Sequence, residues 1–228
     1  MTLSHVEKAL LARHSVRAFR PDPVPRADVE RILRAARSAP SGANLQPGRF
    51  HALTGGPLAD LKDALAQAIA TDRPMVSEYS YFPKPMPAAL KAKQRAAGYA
   101  LYAALGIEKR DLAGRKAQFA ANYRFFDAPV GLVVTIDPAM GKGCFMDLGL
   151  SLMAGLLAAE DMGYGTCGIG ALANFADVVH DHLALDDTEM VVCGIALGRP
   201  DPEAPVNATR TERDPLDSYA TLSGFTET

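Results

Sequence analysis

Three apolar runs and one long apolar helix between Pro129 and Leu197 constrain the fold of this chain more than any other feature. Pro129 to Ile136 has the unbroken, β-branched character of a buried strand. Cys144 to Met162 is nearly all apolar and reads as a helix, and Tyr164 to Ile169 reads as a second strand. Asn174 is placed to cap a helix to Leu183, and Glu189 to Leu197 forms a third strand. Strand and helix therefore alternate through this half.

The first half is punctuated more heavily. Ser4-His5-Val6-Glu7 matches a capping box, and Val6, Leu10 and Leu11 follow at helical spacing, so a helix ends near Arg13. Pro21, Pro23 and Pro25 interrupt the chain, with Pro25 placed as the first residue of a second helix. Val29, Ile32, Leu33 and Ala36 give that helix one apolar stripe, which stops at Ala39-Pro40. A short strand from Arg49 to Leu53 precedes Gly55-Gly56 and a helix from Pro57 to Ala70. From Thr71 to Pro87 the sequence mixes prolines with Tyr79, Tyr81 and Phe82 and shows no period. Linkers are poor in aromatics, so this segment reads as a lid over something apolar. Helices from Ala88 to Leu105 and from Glu108 to Phe126 follow, and the tail from Arg199 is rich in proline and charge.

The whole, residues 1–228, reads as one domain. A net charge of −2 gives no global positive excess, which argues against nucleic acid and against a membrane surface. The start has no apolar stretch ahead of a small-residue cleavage site, and Leu148 to Ala159 is too short to span a bilayer. Cys144, Cys167 and Cys193 are odd in number and form no C-x-x-C pair, so they read as reduced thiols of a cytoplasmic protein. His180 and His182 are two apart and would face different ways on a helix, so no metal is expected.

Gly163 to Gly168 spells G-x-G-x-x-G, the dinucleotide fingerprint. That motif must leave a strand and enter a helix, whose N-terminus takes the pyrophosphate. Here a helix leads in and a strand leads out, so the glycines end the helix and admit a close backbone approach instead.

Two clusters carry the chemistry. Arg13-His14-Ser15-Val16-Arg17 sets two guanidinium forks and a hydroxyl within five residues, a donor set suited to phosphate or carboxylate. Most other arginines up to Arg37 read as a solvated helix face. Pro40-Ser41-Gly42-Ala43-Asn44-Leu45-Gln46-Pro47 is a tight turn rich in donors, where glycine lets the main chain approach a flat ligand. In this order and spacing the two resemble the flavin-binding elements of the nitroreductase family of FMN-dependent oxidoreductases. Asn122 to Pro129, Asp147-Leu148-Gly149, Gly163 to Gly170 and Arg210 to Leu216 extend the similarity over almost the whole chain.

The resemblance implies an α+β sheet flanked by helices, in an intertwined homodimer with FMN at the subunit interface. It implies that Arg13, Ser15 and Arg17, with His14 between them, surround the FMN phosphate and ribityl chain. Arg213, or failing that Arg210, would reach the same phosphate from the tail. Pro40, Ser41, Gly42 and Asn44 would approach the flavin from the other subunit, and Asn122 and Arg124 would address its pyrimidine edge. Gly170 and Ala171 would offer backbone N–H groups beside N5. NADH or NADPH would reduce the flavin and a planar electron-poor acceptor such as a nitroaromatic would reoxidise it, in ping-pong fashion. Many relatives have tryptophan after Gln-Pro where this chain has Gly48. The lid, Thr71 to Gly106, resembles the nitroaromatic-reducing branch, and also the reductive deiodinases. Reductive dehalogenation, enone or quinone reduction, and a non-catalytic flavin-binding role are the alternatives the sequence leaves open.

Overall fold

The computed structural model describes residues 2–226. Helix α1 (His5–Ala12) begins at the expected capping box: Glu7 N–H donates to Ser4 Oγ at 3.3 Å, and Ser4 N–H donates to Glu7 Oε2 at 2.7 Å. Pro25 stands one position earlier than expected, as the N-cap of α2 (Arg26–Arg37). Strand β1 (Arg49–Thr54) runs directly into α3 (Gly55–Ala70), and after the lid come α4 (Ala88–Ala104) and α5 (Leu112–Ala120). Strand β2 (Val130–Ile136), α6 (Lys142–Asp161), β3 (Gly165–Ile169), α7 (Ala176–Leu183) and β4 (Met190–Gly198) complete the chain's regular elements.

The four strands form one sheet in the order β1-β2-β4-β3, every neighbouring pair antiparallel. Both β2 and β3 run antiparallel to β4, so they are parallel to each other, and α6 is the crossover between them. All of β2 is buried, as a strand covered on both faces should be. One face packs Leu58, Leu61 and Leu65 of α3 with Phe125 and with Val178 and Val179 of α7. The other packs Ile32 of α2 and Leu148 and Ala159 of α6 against Leu132 and Val134. The architecture is the expected α+β sheet flanked by helices. The α2–α6 contact is close: Ser151 Oγ donates to the Ala36 carbonyl at 2.8 Å, and a Cβ at Gly155 would lie 3.1 Å from that of Ala36.

Two local expectations are corrected. The helix expected from Glu108 to Phe126 is two pieces, α5 and a 3-10 segment at Ala121–Asp127, because Phe125 and Phe126 adopt φ of 52° and 51°. That turn drives the Phe125 ring into the core, where Gly131 and Gly194 leave room for it; a Cβ on either would approach the ring to 3.0 Å. Asn174 does not cap α7. The cap position is Phe175, and the Asn174 amide instead donates to Tyr123 Oη at 3.2 Å. Helix α6, 20 residues long with an 18-residue stretch of mean hydropathy 1.4, is by length and composition long enough to cross a membrane, unlike its apolar heart from Leu148 to Ala159. Its inner face nevertheless packs Leu148, Ser151, Gly155 and Ala159 on this fold, while Met146 and Leu150 remain 67% and 46% exposed.

Glu189, at the start of β4, is a buried carboxylate with a complete set of partners. Thr135 Oγ1 donates to it at 2.7 Å, His51 Nε2 lies at 2.8 Å, and Arg49 Nη1 lies at 3.6 Å. Burial alone would raise its pKa, but these hydrogen bonds and cations outweigh it and hold the carboxyl below its ordinary range. The group therefore anchors β1 and β2 to β4 in its charged form.

Candidate flavin site

The arginine cluster is an extra strand-like segment on the open edge of the sheet. Ser15 forms a parallel bridge with Thr166, and Val16 N–H donates to the Thr166 carbonyl at 2.9 Å. Val16 is fully buried, and Gly165 makes this possible, since a Cβ there would fall 2.5 Å from Val16 Cγ2 and 2.9 Å from Pro200. Gly163, at φ 76°, ends α6. The G-x-G-x-x-G glycines thus do what their reversed context implied: one ends a helix and the next admits a backbone.

In an extended segment alternate side chains share a face, so burying Val16 turns Ser15 and Arg17 the other way. Arg13, Ser15 and Arg17 converge beside Cys167 of β3, whose thiol burial pushes up, despite the nearby Arg17, Ser15 and Arg13. A neutral thiol adds no anion to this group. Arg13 Nε is buried and has no hydrogen-bond partner, while Arg17 Nη1 donates only to the Ser15 carbonyl at 3.3 Å and its guanidinium lies 6.0 Å from the Phe126 ring. Neither cation has a carboxylate partner among the described residues. An orphaned donor and two uncompensated cations fit a phosphate. His14 departs from the group: its Nδ1 lies 3.0 Å from the Ala12 carbonyl, and it lines a separate cavity of about 290 Å³ with the Pro200–Ala208 segment.

The residue that fixes this segment is one the sequence did not single out. Asn207 Oδ1 accepts from Arg17 N–H at 2.9 Å and Ala18 N–H at 3.2 Å, and its Nδ2 donates to the carbonyls of Ala18 and Asp201 at 2.8 and 2.9 Å. The tail is therefore stapled to the arginine segment within one chain. Arg210 Nη1 in turn donates to the Asn207 carbonyl at 2.9 Å, whereas the Arg213 guanidinium is folded onto Thr211 and Glu212. Of the two, Arg210 is the one that bonds directly to Asn207, the residue that holds the arginine segment.

Gly170 follows β3 directly, four residues beyond Thr166, or about 13 Å along a strand. Between them Gly168 is exposed, and a Cβ there would meet nothing within 4 Å, which leaves the strand edge open to a flat ligand. Gly170 and Ala171 form part of a cavity of about 490 Å³ that they share with Asn122, Tyr79, Tyr81 and Phe82. The structure thus joins the expected N5 donors, the pyrimidine-edge asparagine and the aromatic lid in one space. Tyr81 lies over Gly170 so closely that a Cβ on the glycine would reach its ring at 2.8 Å. Arg124 stays outside, exposed, with Nε 3.5 Å from Asp127 Oδ2.

The lid is fastened at its base and open at its tip. Val76 N–H donates to the Asn174 carbonyl at 2.8 Å, Glu78 Oε2 accepts from Val191 N–H at 2.7 Å, and Tyr79 Oη donates to the Val192 carbonyl at 2.7 Å. Burial raises the Tyr79 pKa, so the phenol stays neutral. Tyr81, by contrast, is 63% exposed and meets Phe82 edge-on at 4.8 Å.

The Pro40–Pro47 turn lies elsewhere, at the start of α6. Gly42 N–H donates to Asp147 Oδ2 at 3.0 Å, and Ser41 Oγ accepts from Gln46 N–H at 2.9 Å. Arg37, expected on a solvated face, clamps the turn by donating to the Gln46, Pro47 and Gly48 carbonyls. Ala43, Asn44 and Gln46 all have φ near 50°, a costly backbone for non-glycine residues that marks ligand-contacting turns. Among the described residues no hydrogen bond joins Pro40, Ser41, Gly42 and Asn44 to Arg13–Arg17 of the same chain.

Residues 10–199 match the model of the Nitroreductase family. The chain belongs to that family. It is 36% identical to 4-nitrobenzoate reductase of Pseudomonas putida over 219 residues, 96% of each chain. It is 33% identical to chloronitrobenzene nitroreductase of Comamonas testosteroni over 222 residues, covering 97% of this chain and 98% of that one. The fold superposes on the FMN and NADPH-dependent nitroreductase NfnB of a Sphigopyxis strain with a TM-score of 0.94, at 38% identity, over 98% of this chain and 100% of that one.

Proposed function

We propose that this chain is an FMN-dependent NAD(P)H oxidoreductase that reduces nitroaromatic or similar planar electron-poor acceptors, working as a homodimer in the cytoplasm. The observation that carries the reading is the alignment along β3: uncompensated Arg13 and Arg17 at one end, open Gly168 in the middle, and the Gly170 cavity at the other. FMN, when bound, supplies the reversible two-electron chemistry at its N5 position. Arg13, Ser15 and Arg17 would hold its phosphate, and the backbone N–H groups of Gly170 and Ala171 would face N5. Asn122 would address the pyrimidine edge from within the cavity. Tyr79, tied to β4, and Tyr81 would cover one side of the ligand. A single cavity for nicotinamide and acceptor dictates that they occupy it in turn, which gives ping-pong kinetics.

Dimer formation is supported by surface that one chain leaves uncovered. Val6 and Leu11 of α1, Met146 and Leu150 of α6, and Tyr219, Leu222 and Phe225 of the tail are all exposed. The Pro40–Asn44 turn, apart from the arginines of its own chain, fits a role in the partner's site. The three free cysteines suit a reducing compartment.

The lid role is tested with Tyr81→Ala. Loss of one stacking ring is worth on the order of 0.5–1.5 kcal/mol, so the nitroarene KM is expected to rise about two- to tenfold. Flavin reduction by NADPH should stay near the wild-type rate. An unchanged KM would remove Tyr81 from acceptor binding.

A further inference from the structure

We infer that Lys84 reads a carboxylate on the acceptor, so that the preferred substrates are planar nitroarenes carrying an acidic group. This deepens the function proposed above and rests on it. Lys84 is the one residue charged at neutral pH among those lining the cavity shared by the lid, Asn122 and Gly170. The remaining walls are aromatic rings, hydroxyls, amides and backbone, with no anion to balance it. Lys84 also makes no ion pair among the described residues, whereas Lys93, nearby on α4, is engaged by Asp214 of the tail.

The cation does not stand alone. From Pro83 to Ile107 the sequence contains Lys84, Lys91, Lys93 and Arg95 and not one aspartate or glutamate, within a chain whose net charge is −2. The lid and its following helix are thus a basic patch on a slightly acidic protein, a field that draws anions toward the mouth. Lys84 is exposed where it lines the cavity, so a neutral ring gains nothing from its ammonium. A carboxylated ring gains an ion pair there, one partly screened by water. Lys84 enters from the lid, two residues after Phe82, while Gly170 and Ala171 border the sheet side. A ring held between them would present its nitro group to one wall and its carboxylate to the other.

The test compares 4-nitrobenzoate with 4-nitrobenzamide, its uncharged counterpart of similar shape, on the FMN-loaded protein and its Lys84→Met and Lys84→Arg variants. Dissociation constants are measured by calorimetry on the oxidised protein, which cannot turn over, and KM by steady-state reduction. Lys84→Met is expected to raise both constants for 4-nitrobenzoate by about two- to fivefold, the upper range of a partly screened ion pair, and to leave those for the amide unchanged. Lys84→Arg should retain the wild-type preference, and added salt should erode it. Equal effects on both compounds, or none, would overturn the proposal. So would a loss confined to reduction by NADPH, which would assign Lys84 to the nicotinamide's phosphates. Failure of the wild-type protein to reduce either compound, with NADPH reduction intact, would overturn the acceptor reading itself.

Discussion

Replacement of Arg17 by alanine is expected to raise the FMN dissociation constant roughly 10- to 150-fold, the equivalent of about 1.5–3 kcal/mol for a hydrogen bond to a charged group. The size of the effect follows from what Arg17 lacks in the protein. Its backbone is held by Asn207, but its guanidinium donates only to the Ser15 carbonyl and otherwise rests beside Phe126. The fork is available to a phosphate, and Arg13 Nε is left with an unmet donor alongside it. Arg17→Lys keeps the charge and loses the planar fork, so it should fall between alanine and wild type. Titration of FMN fluorescence against the FMN-free proteins measures both. Thermal unfolding of the same FMN-free samples separates ligand loss from damage to the Phe126 contact. An unchanged dissociation constant in Arg17→Ala would remove this residue from the phosphate site.

A still larger change is expected when the outer face of α6 is charged. Met146 and Leu150 lie one helical turn apart on the side away from α2 and the sheet, and both are largely exposed. If a second copy covers them, the joint Met146→Asp and Leu150→Asp variant places two carboxylates in an apolar interface. The expected cost is about 4 kcal/mol or more, which weakens dimerisation roughly a thousandfold. Light scattering at micromolar concentration should then report twice the chain mass for the wild type and the single mass for the variant. On the proposal that the partner supplies Pro40–Asn44 to the flavin site, FMN should be released as well. A variant that stays dimeric would move the interface elsewhere, and a monomeric wild type that retains FMN would remove the two-chain site altogether.

Much of this was legible in the sequence because it depends on short-range pattern. Strands β2, β3 and β4 follow from apolar runs, α1 from its capping box, and the failure of the dinucleotide motif from the order of helix and strand. The role of Gly165 was implied by the same order, although its partner, Val16, is distant in the chain. What escaped depends on contacts between remote segments. The break before Phe125 is set by space at Gly131 and Gly194, which no local propensity encodes. Asn174 has good cap chemistry, yet Tyr123 takes its amide. Arg37 looks like one more cation on a polar helix face, and only the returning turn shows that it binds three carbonyls. Asn207 gave no sequence signal beyond being a polar residue in a polar tail, and its burial at 8% exposure is what reveals the staple. His14 shares its neighbours' motif but not their face, since alternation along an extended segment separates it from Arg13, Ser15 and Arg17.

The central claim, that flavin chemistry in the Gly170 cavity links a nicotinamide donor to a nitroarene, is tested most directly by anaerobic stopped-flow on the wild-type protein. The yellow, FMN-loaded protein is mixed first with NADPH or NADH, then, freed of nicotinamide, with a nitroarene. The flavin absorption band is expected to bleach in the first step and return in the second, with neither step requiring the other substrate. A colourless protein, or a flavin that bleaches but is not reoxidised by any nitroarene, would contradict it.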